Sequence, residues 1–310
     1  MLRVSLSGRL GNNIIQLAHS IAVCNELNIS QLHYDAVGWK DVGDNIAAYY
    51  RKNAIVLPSG LKLEFVDSGR RRDTGTILMG DDLYTHSVGL LINKGRRLGA
   101  TKRDLAFALE YLLDHDEPGS QMGGVNTHHR EHVVLHVRGN DVFGEGVPTA
   151  SRIPTDYAQP PSSFYLLALE DIFAQIKSEP LVTLLSQDNL NPARQDIERF
   201  LISKGVEFNT RSPDMKTAAR SVRRATYIIA SRGTFVPGLR LGTRTKCCLY
   251  YFRDIELNHL AKIKNSHEEI RVVEDTLGKY TKRGDWMALR EQVKMISAYP
   301  SSALKIRSST

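Results

Sequence analysis

The sequence predicts an α/β protein built as two lobes with a cleft between them, and three observations carry that expectation. The chain opens with a short strand, a glycine-containing turn and a helix within residues 3–27. Strand-like and helix-like runs then alternate between residues 132 and 230, the pattern of a mostly parallel sheet covered on both faces. A stretch containing Pro118, Gly119, Gly123 and Gly124 separates the two regions and reads as a connection over 116–130. A chain of 310 residues is long enough for more than one domain, and 42% apolar with 24% charged residues is ordinary for a folded, water-soluble protein. The expected division is 1–125 as a first lobe carrying the glycine loop, 126–260 as a second lobe, and 261–310 as a helical extension packing back on both.

The first strand, Arg3 to Leu6, runs into Ser7-Gly8-Arg9-Leu10-Gly11-Asn12-Asn13. A helix from Ile14 to Leu27 follows, with Ile14, Leu17, Ala18, Ile21, Ala22 and Cys24 on a broad apolar face. Such a turn before a helix exposes backbone donors at the positive end of the helix, a nest of phosphate size. From about residue 30 to 125 the pattern is irregular. Short strands are expected at Ala54–Leu57, Leu61–Val66 and Thr76–Met79, and a helix at Leu105–Leu113.

The second region opens with the apolar strand His132–Val137. A helix capped by Ser162 or Ser163 runs to Lys177, with Phe164, Leu167, Leu169, Ile172, Phe173 and Ile176 spread over a wide face. Strand Leu181–Leu185, helix Ala193–Lys204, a short strand near Val206–Phe208, helix Met215–Arg223 and strand Tyr227–Ala230 complete the alternation. The tail from Leu260 is mainly polar and ends in a helix around Trp286–Ile296.

The net charge of +7 favours anionic partners without choosing among them. Basic residues are dispersed, the clusters Arg70-Arg71-Arg72 and Arg96-Arg97 read as solvated faces, and no specific nucleic-acid partner is expected. Cys24, Cys247 and Cys248 have no spacing for a disulfide framework or a four-ligand zinc site. The opening apolar segment is too short for a signal peptide, and no run of about 18 apolar residues suggests a membrane span. A whole chain of this kind would be cytoplasmic; one cut from a longer protein would be membrane-associated or in the Golgi.

Chemistry is expected at the carboxyl ends of strands, where open α/β sheets bind ligands. His136 and Arg138 stand two residues apart and so point to one side of their strand. The rigid fork of Arg138 suits two phosphate oxygens at once. Asp141 is placed to orient Arg138, contact a sugar or stabilise the loop, and His136 is open between anchoring that loop and contacting ligand directly. After the strand 227–230, Ser231, Thr234 and the backbone of Ser231-Arg232-Gly233-Thr234-Phe235 are candidates to complete a diphosphate cradle. Asp188 is divided between a ribose or base contact and capping the helix after Pro192. Asp114-His115-Asp116 and Asp81-Asp82 lack the context of a metal site, His128-His129 reads as exposed linker, and the common dinucleotide and triphosphate fingerprints are absent.

These residues resemble the fucosyltransferase superfamily that includes α1,2-fucosyltransferases, nodulation α1,6-fucosyltransferases and protein O-fucosyltransferases. The family's Gly-x-x-Gly-Asn-Gln-like loop is matched by Gly8-Arg9-Leu10-Gly11-Asn12-Asn13, and its His-x-Arg-Arg-x-Asp signature by His136, Arg138 and Asp141. A late Ser-x-(Ser/Thr)-Phe element is similar to Ser231 through Phe235, with one extra residue. Gly139 stands where a second arginine is common, Asn13 replaces glutamine, and Val236-Pro237 replaces Ser-Trp-Trp of the α1,2 group. The resemblance implies a GT-B arrangement and inverting transfer from a nucleoside diphosphate sugar, usually GDP-fucose, to an oligosaccharide hydroxyl with no obligatory metal or cofactor. It implies that Arg138 binds the diphosphate and stabilises its departure, with Gly11 and Asn12 closing the site from the first lobe and Ser231, Thr234 and Phe235 holding phosphates and nucleotide from the second. Asp141 leads as catalytic base on location, with Asp35 and Glu145 as alternatives. Other donors on the same scaffold, GDP-mannose or a UDP-linked sugar such as UDP-xylose, and a non-catalytic nucleotide- or carbohydrate-binding protein are the competing expectations.

Overall fold

A computed structural model describes residues 1–5, 10–35, 54–66, 76–79, 98–114, 130–139, 142–143, 159–210, 214–252, 267–280 and 289–308. The first sheet holds β1 (Leu2–Ser5), β2 (Gln31–Asp35), β3 (Ile55–Val56), β4 (Lys62–Val66) and β5 (Thr76–Met79) in the order β3-β4-β2-β1-β5. All its neighbouring strands run parallel except the edge pair β3 and β4. The second sheet contains β6 (His132–Val137), β7 (Leu181–Ser186), β8 (Phe208–Asn209), β9 (Tyr227–Ala230), β10 (Cys247–Phe252), β11 (Glu268–Asp275) and β12 (Leu304–Ser308). Its order is β12-β11-β10-β9-β6-β7-β8, parallel throughout except for β12 against β11. The chain is thus an α/β protein with two Rossmann-like sheets, as its sequence predicts.

Helix α1 (Leu10–Leu27) is buried on nearly every side, and it joins the two halves. Ile14, Leu17 and Ile21 have no exposed surface, and each such side chain contributes roughly 1.5–3 kcal/mol of burial. The helix starts earlier than its apolar pattern suggests, so Gly11, Asn12 and Asn13 lie in its first turn rather than in a loop before it. α1 packs on α6 (Phe235–Arg240), which follows β9 in the second sheet. A Cβ on Gly11 would stand 2.5 Å from the Thr234 carbonyl and 2.7 Å from the Phe235 Cα, and one on Gly238 would stand 2.6 Å from the Gly11 carbonyl oxygen. Glycine at both positions lets the two helices touch backbone to backbone. One core therefore runs unbroken from β1, β2 and β4 through α1 and α6 to Val134, Ile228, Leu249 and Ile270 on the second sheet.

α2 (Leu98–Leu109) begins well before Leu105 and widens into a π turn over Glu110–Asp114. The guanidinium of Arg220, on α5 (Met215–Arg224), donates to the Leu113 carbonyl at 3.0 Å and so closes the end of that turn from the second half of the chain. A second core lies on the opposite face of the large sheet, where Val133, Leu135 and Val137 pack with α3 (Ser162–Gln175), α4 (Pro192–Ser203) and α7 (Arg290–Ala298). Neither Ser162 nor Ser163 caps α3: the residue before the helix is Pro161, and the Ser162 hydroxyl donates instead to Asp196 of α4.

The tail requires the largest correction. Residues 261–310 are not simply a helical extension, because β11 and β12 are strands of the second sheet and only α7 matches the expected helix. Polar residues hid them: β11 reads Glu-Glu-Ile-Arg-Val-Val-Glu-Asp, with Ile270, Val272 and Val273 buried beneath a charged exterior. β2, with Leu32 and Tyr34 buried, was hidden in the same way. The expected lobe boundary near residue 125 lies outside the described residues. Among the described residues no helix is long and apolar enough to cross a membrane.

Candidate functional site

β6 and β9 lie side by side, but the chain leaves them in opposite directions. From β6 it proceeds to β7 and β8 at one edge of the sheet, and from β9 to β10 and β11 toward the other. That reversal is a topological switch point, and open α/β sheets bind ligands in the crevice outside the carboxyl ends of the strands at such a point. The register pairs His136 with Ala230, so Arg138 and Ser231 emerge together there. Val133, Leu135 and Val137 face the α3–α4 core and Val134 the opposite one; strand alternation therefore places His136 and Arg138 on the Val134 side, toward α6.

The backbone of Arg138 is held from both neighbours. Its N–H donates to the Ser231 hydroxyl at 3.3 Å, and its carbonyl accepts from the Asn191 side-chain amide at 2.9 Å. The same Asn191, fully buried, caps α4 by accepting the Ala193 N–H at 3.0 Å, with Pro192 in the first turn. The guanidinium makes a long contact of 3.5 Å with the Arg232 carbonyl and passes over Gly233. A Cβ on Gly233 would stand 2.9 Å from Nη1, and its φ of +121° favours glycine independently. Room for the arginine is built into the β9 loop.

His136 stacks at 5.0 Å on Phe235, with 31° between the rings. The residue keeps some exposed surface, yet its Nδ1 is fully covered and has no hydrogen-bond partner among the described residues. Burial, followed by the positive charge of Arg138, pushes its pKa down from 6.5 to about 3, so the ring is neutral near pH 7. Burial likewise pushes His132 down to about 4, at the other end of β6. An unfolded chain protonates both rings from about pH 6.5 downward while the folded chain does not, so the acid side favours unfolding. Tm is expected to fall as pH drops from 6.5 toward 4, and His132→Gln to flatten part of that fall; a flat wild-type profile would contradict the buried, neutral assignment.

Of the remaining sequence-predicted residues, Ser231 lies beside Arg138, and Thr234 and Asn12 are bonded to each other. Ser231 is 1% exposed and donates its hydroxyl proton to Gln159 Oε1 at 2.8 Å, so that proton is committed inside the protein. Thr234 donates its hydroxyl to the Asn12 side-chain oxygen, a bond between the two halves of the chain. Gly11 has a packing reason in the α1–α6 contact. Asp188 does not cap α4, a task that falls to Asn191; its carboxylate accepts the Leu190 N–H at 2.8 Å and sits over Gly139, where a Cβ would be 2.4 Å from Oδ1. Gly139 therefore makes space for a carboxylate where the resemblance expects an arginine. Asp141, Gly8, Glu145, Asp81, Asp82, His115 and Asp116 lie outside the described residues. Gln159 and Asn191 escaped the sequence reading. The Asn-Pro pair signals a helix cap, but nothing in the sequence signals Gln159.

Scanned against protein-family models the sequence matches none, and no curated protein matches it. Among solved structures it is similar to the bacterial iron-containing dodecameric glycosyltransferase TibC from enterotoxigenic E. coli, with 13% identity, a TM-score of 0.39 and 80% of this chain covered. This chain spans only 57% of that one. It is also similar to the E. coli heptosyltransferase WaaC with ADP, at 11% identity and TM-score 0.35 over 94% of this chain and 96% of the other. A third likeness is to POFUT1 in complex with GDP-fucose, at 12% identity and TM-score 0.38 over 77% and 93%. TM-scores of 0.39 and below decide nothing about donor, acceptor or reaction.

Proposed function

We propose that this chain is a glycosyltransferase that binds a nucleoside diphosphate sugar at the β6–β9 switch point and transfers its sugar to a glycan hydroxyl. The observation that carries this reading is Arg138, delivered by a buried strand to the carboxyl-end switch point and fixed through its backbone, which donates to Ser231 after β9 and accepts from Asn191 after β7. The motif resemblance supports the same class and favours GDP-fucose as donor, with inversion at the anomeric carbon and no obligatory metal. Residues 1–125 would then serve mainly the acceptor and 126–260 the nucleotide.

In such a step the acceptor oxygen bonds to the anomeric carbon while the bond from that carbon to the phosphate oxygen breaks. The electron pair leaves with the diphosphate, and the hydroxyl proton passes to a base, for which Asp141 is our leading candidate. Charge grows on the diphosphate as the sugar becomes oxocarbenium-like. An arginine that grips this group more strongly as it departs lowers the barrier. Asn12, Thr234, Phe235 and His136 would shape the wall beside it, and Asp188 would accept from the ribose or the base edge. In a thermal-shift panel of GDP, UDP, their sugar conjugates and unrelated nucleotides, selective stabilisation by GDP species is expected, about 2.7 kcal/mol at a hundredfold excess over Kd. Selective stabilisation by UDP species would overturn the donor, and no response to either would overturn the class.

A further inference from the structure

We propose that Gln159 is a positioning residue for Arg138, acting through Ser231; the inference rests on Arg138 being the diphosphate clamp. The Arg138 N–H donates to Ser231 Oγ at 3.3 Å, and Ser231 Oγ in turn donates to Gln159 Oε1 at 2.8 Å. A hydroxyl has one proton and accepts on its lone pairs. By taking that proton, Gln159 fixes the rotor so that Ser231 presents a lone pair to the Arg138 N–H. Without the acceptor, this bond no longer holds the proton away from Arg138. Gln159 has no exposed surface and Ser231 only 1%, so no bulk water replaces the lost partner.

Gln159 is itself held from the far end of the sheet. Its carbonyl accepts from the Tyr280 hydroxyl at 2.6 Å. The Tyr280 ring packs edge-on 5.6 Å from Phe252 and 5.0 Å from Tyr299. Asp275, at the end of β11, accepts from the Tyr280 N–H at 2.9 Å and from the Tyr299 hydroxyl. A continuous set of contacts therefore runs from the last strands of the chain to the backbone of Arg138. Because Gln159 is fully covered, it acts on that backbone and not on ligand.

The test is GDP and UDP affinity, by calorimetry, together with Tm in the absence of ligand, for wild type, Gln159→Met, Gln159→Glu, Ser231→Ala and the Gln159→Met/Ser231→Ala double variant. Gln159→Met is expected to weaken the better-bound nucleotide roughly threefold to tenfold. Gln159→Glu, which keeps an acceptor oxygen, is expected to recover most of that loss. In the Ser231→Ala background, Gln159→Met is expected to have no further effect on affinity, since both changes cut one relay. Wild-type affinity in Gln159→Met with only a lowered Tm, or losses that add in the double variant, would overturn the relay. Should Gln159→Met not fold, Tyr280→Phe keeps the ring and removes only the hydroxyl; it is expected to weaken binding about twofold to threefold, and unchanged affinity there overturns the proposal. A wild-type protein that binds neither nucleotide overturns Arg138 as the clamp, and the relay with it, a result visible before any variant is made.

Discussion

Arg138→Ala is expected to lower transfer by about a hundredfold to a thousandfold, the range seen when one preorganised donor to developing charge is removed. Folding should be nearly unaffected, for a structural reason. The Arg138 N–H donates to Ser231 and its carbonyl accepts from Asn191, backbone bonds that alanine retains, while side-chain contacts such as the long one with the Arg232 carbonyl are lost. The variant therefore separates chemistry from stability: Tm holds while turnover and nucleotide affinity fall. Arg138→Lys keeps the charge but not the two-pronged geometry, and is expected to restore only part of the loss. Steady-state kinetics with the preferred donor checks both. Unchanged turnover in Arg138→Ala would sink the assignment of the diphosphate to this residue.

The strand that delivers Arg138 was legible because Val133, Val134, Leu135 and Val137 are apolar, and strand alternation then decides which side His136 and Arg138 share. The loops around the crevice were only half legible. Sequence displays donors such as the hydroxyls of Ser231 and Thr234, and both were assigned to phosphate. Their acceptors, Gln159 and Asn12, lie 72 and 222 residues away, and no local pattern reveals such pairs. The glycines show the same limit. Gly11 reads as part of a phosphate nest, and its packing role, leaving room for the backbone of Thr234 and Phe235, has no signal in the sequence. β2, β10, β11 and β12 were missed for a different reason: in β2, β11 and β12 polar and charged residues stand among few apolar ones and mask the alternation, and β10, Cys-Cys-Leu-Tyr-Tyr-Phe, stood in a region read only for its cysteines.

Arg240→Met is expected to be the most damaging substitution for stability, and it tests whether those overlooked strands belong to the fold's foundation. Arg240 ends α6 and is 2% exposed; its Nε donates to Glu268 at 2.9 Å, at the start of β11. Its remaining donors reach the carbonyls of Val222 and Arg223 at the end of α5 and of Thr245 before β10. One guanidinium thus joins two helices, the start of β11 and the turn that leads into β10. Removing it takes this counter-charge from a buried carboxylate and this donor from three carbonyls, a loss of about 3–5 kcal/mol and a fall in Tm on the order of 10 °C. Burial of an ion pair alone would not predict net stabilisation, because desolvation opposes the attraction. The double change Arg240→Met/Glu268→Leu is therefore expected to regain much of the loss, while the carbonyls keep it below wild type. If the single variant melts within about 2 °C of wild type, less than the shift of 1 kcal/mol, the pair does not tie β11 to α6. Because α6 begins with the Phe235 that stacks on His136, the same measurement with GDP present reports how far this buried joint reaches toward the crevice.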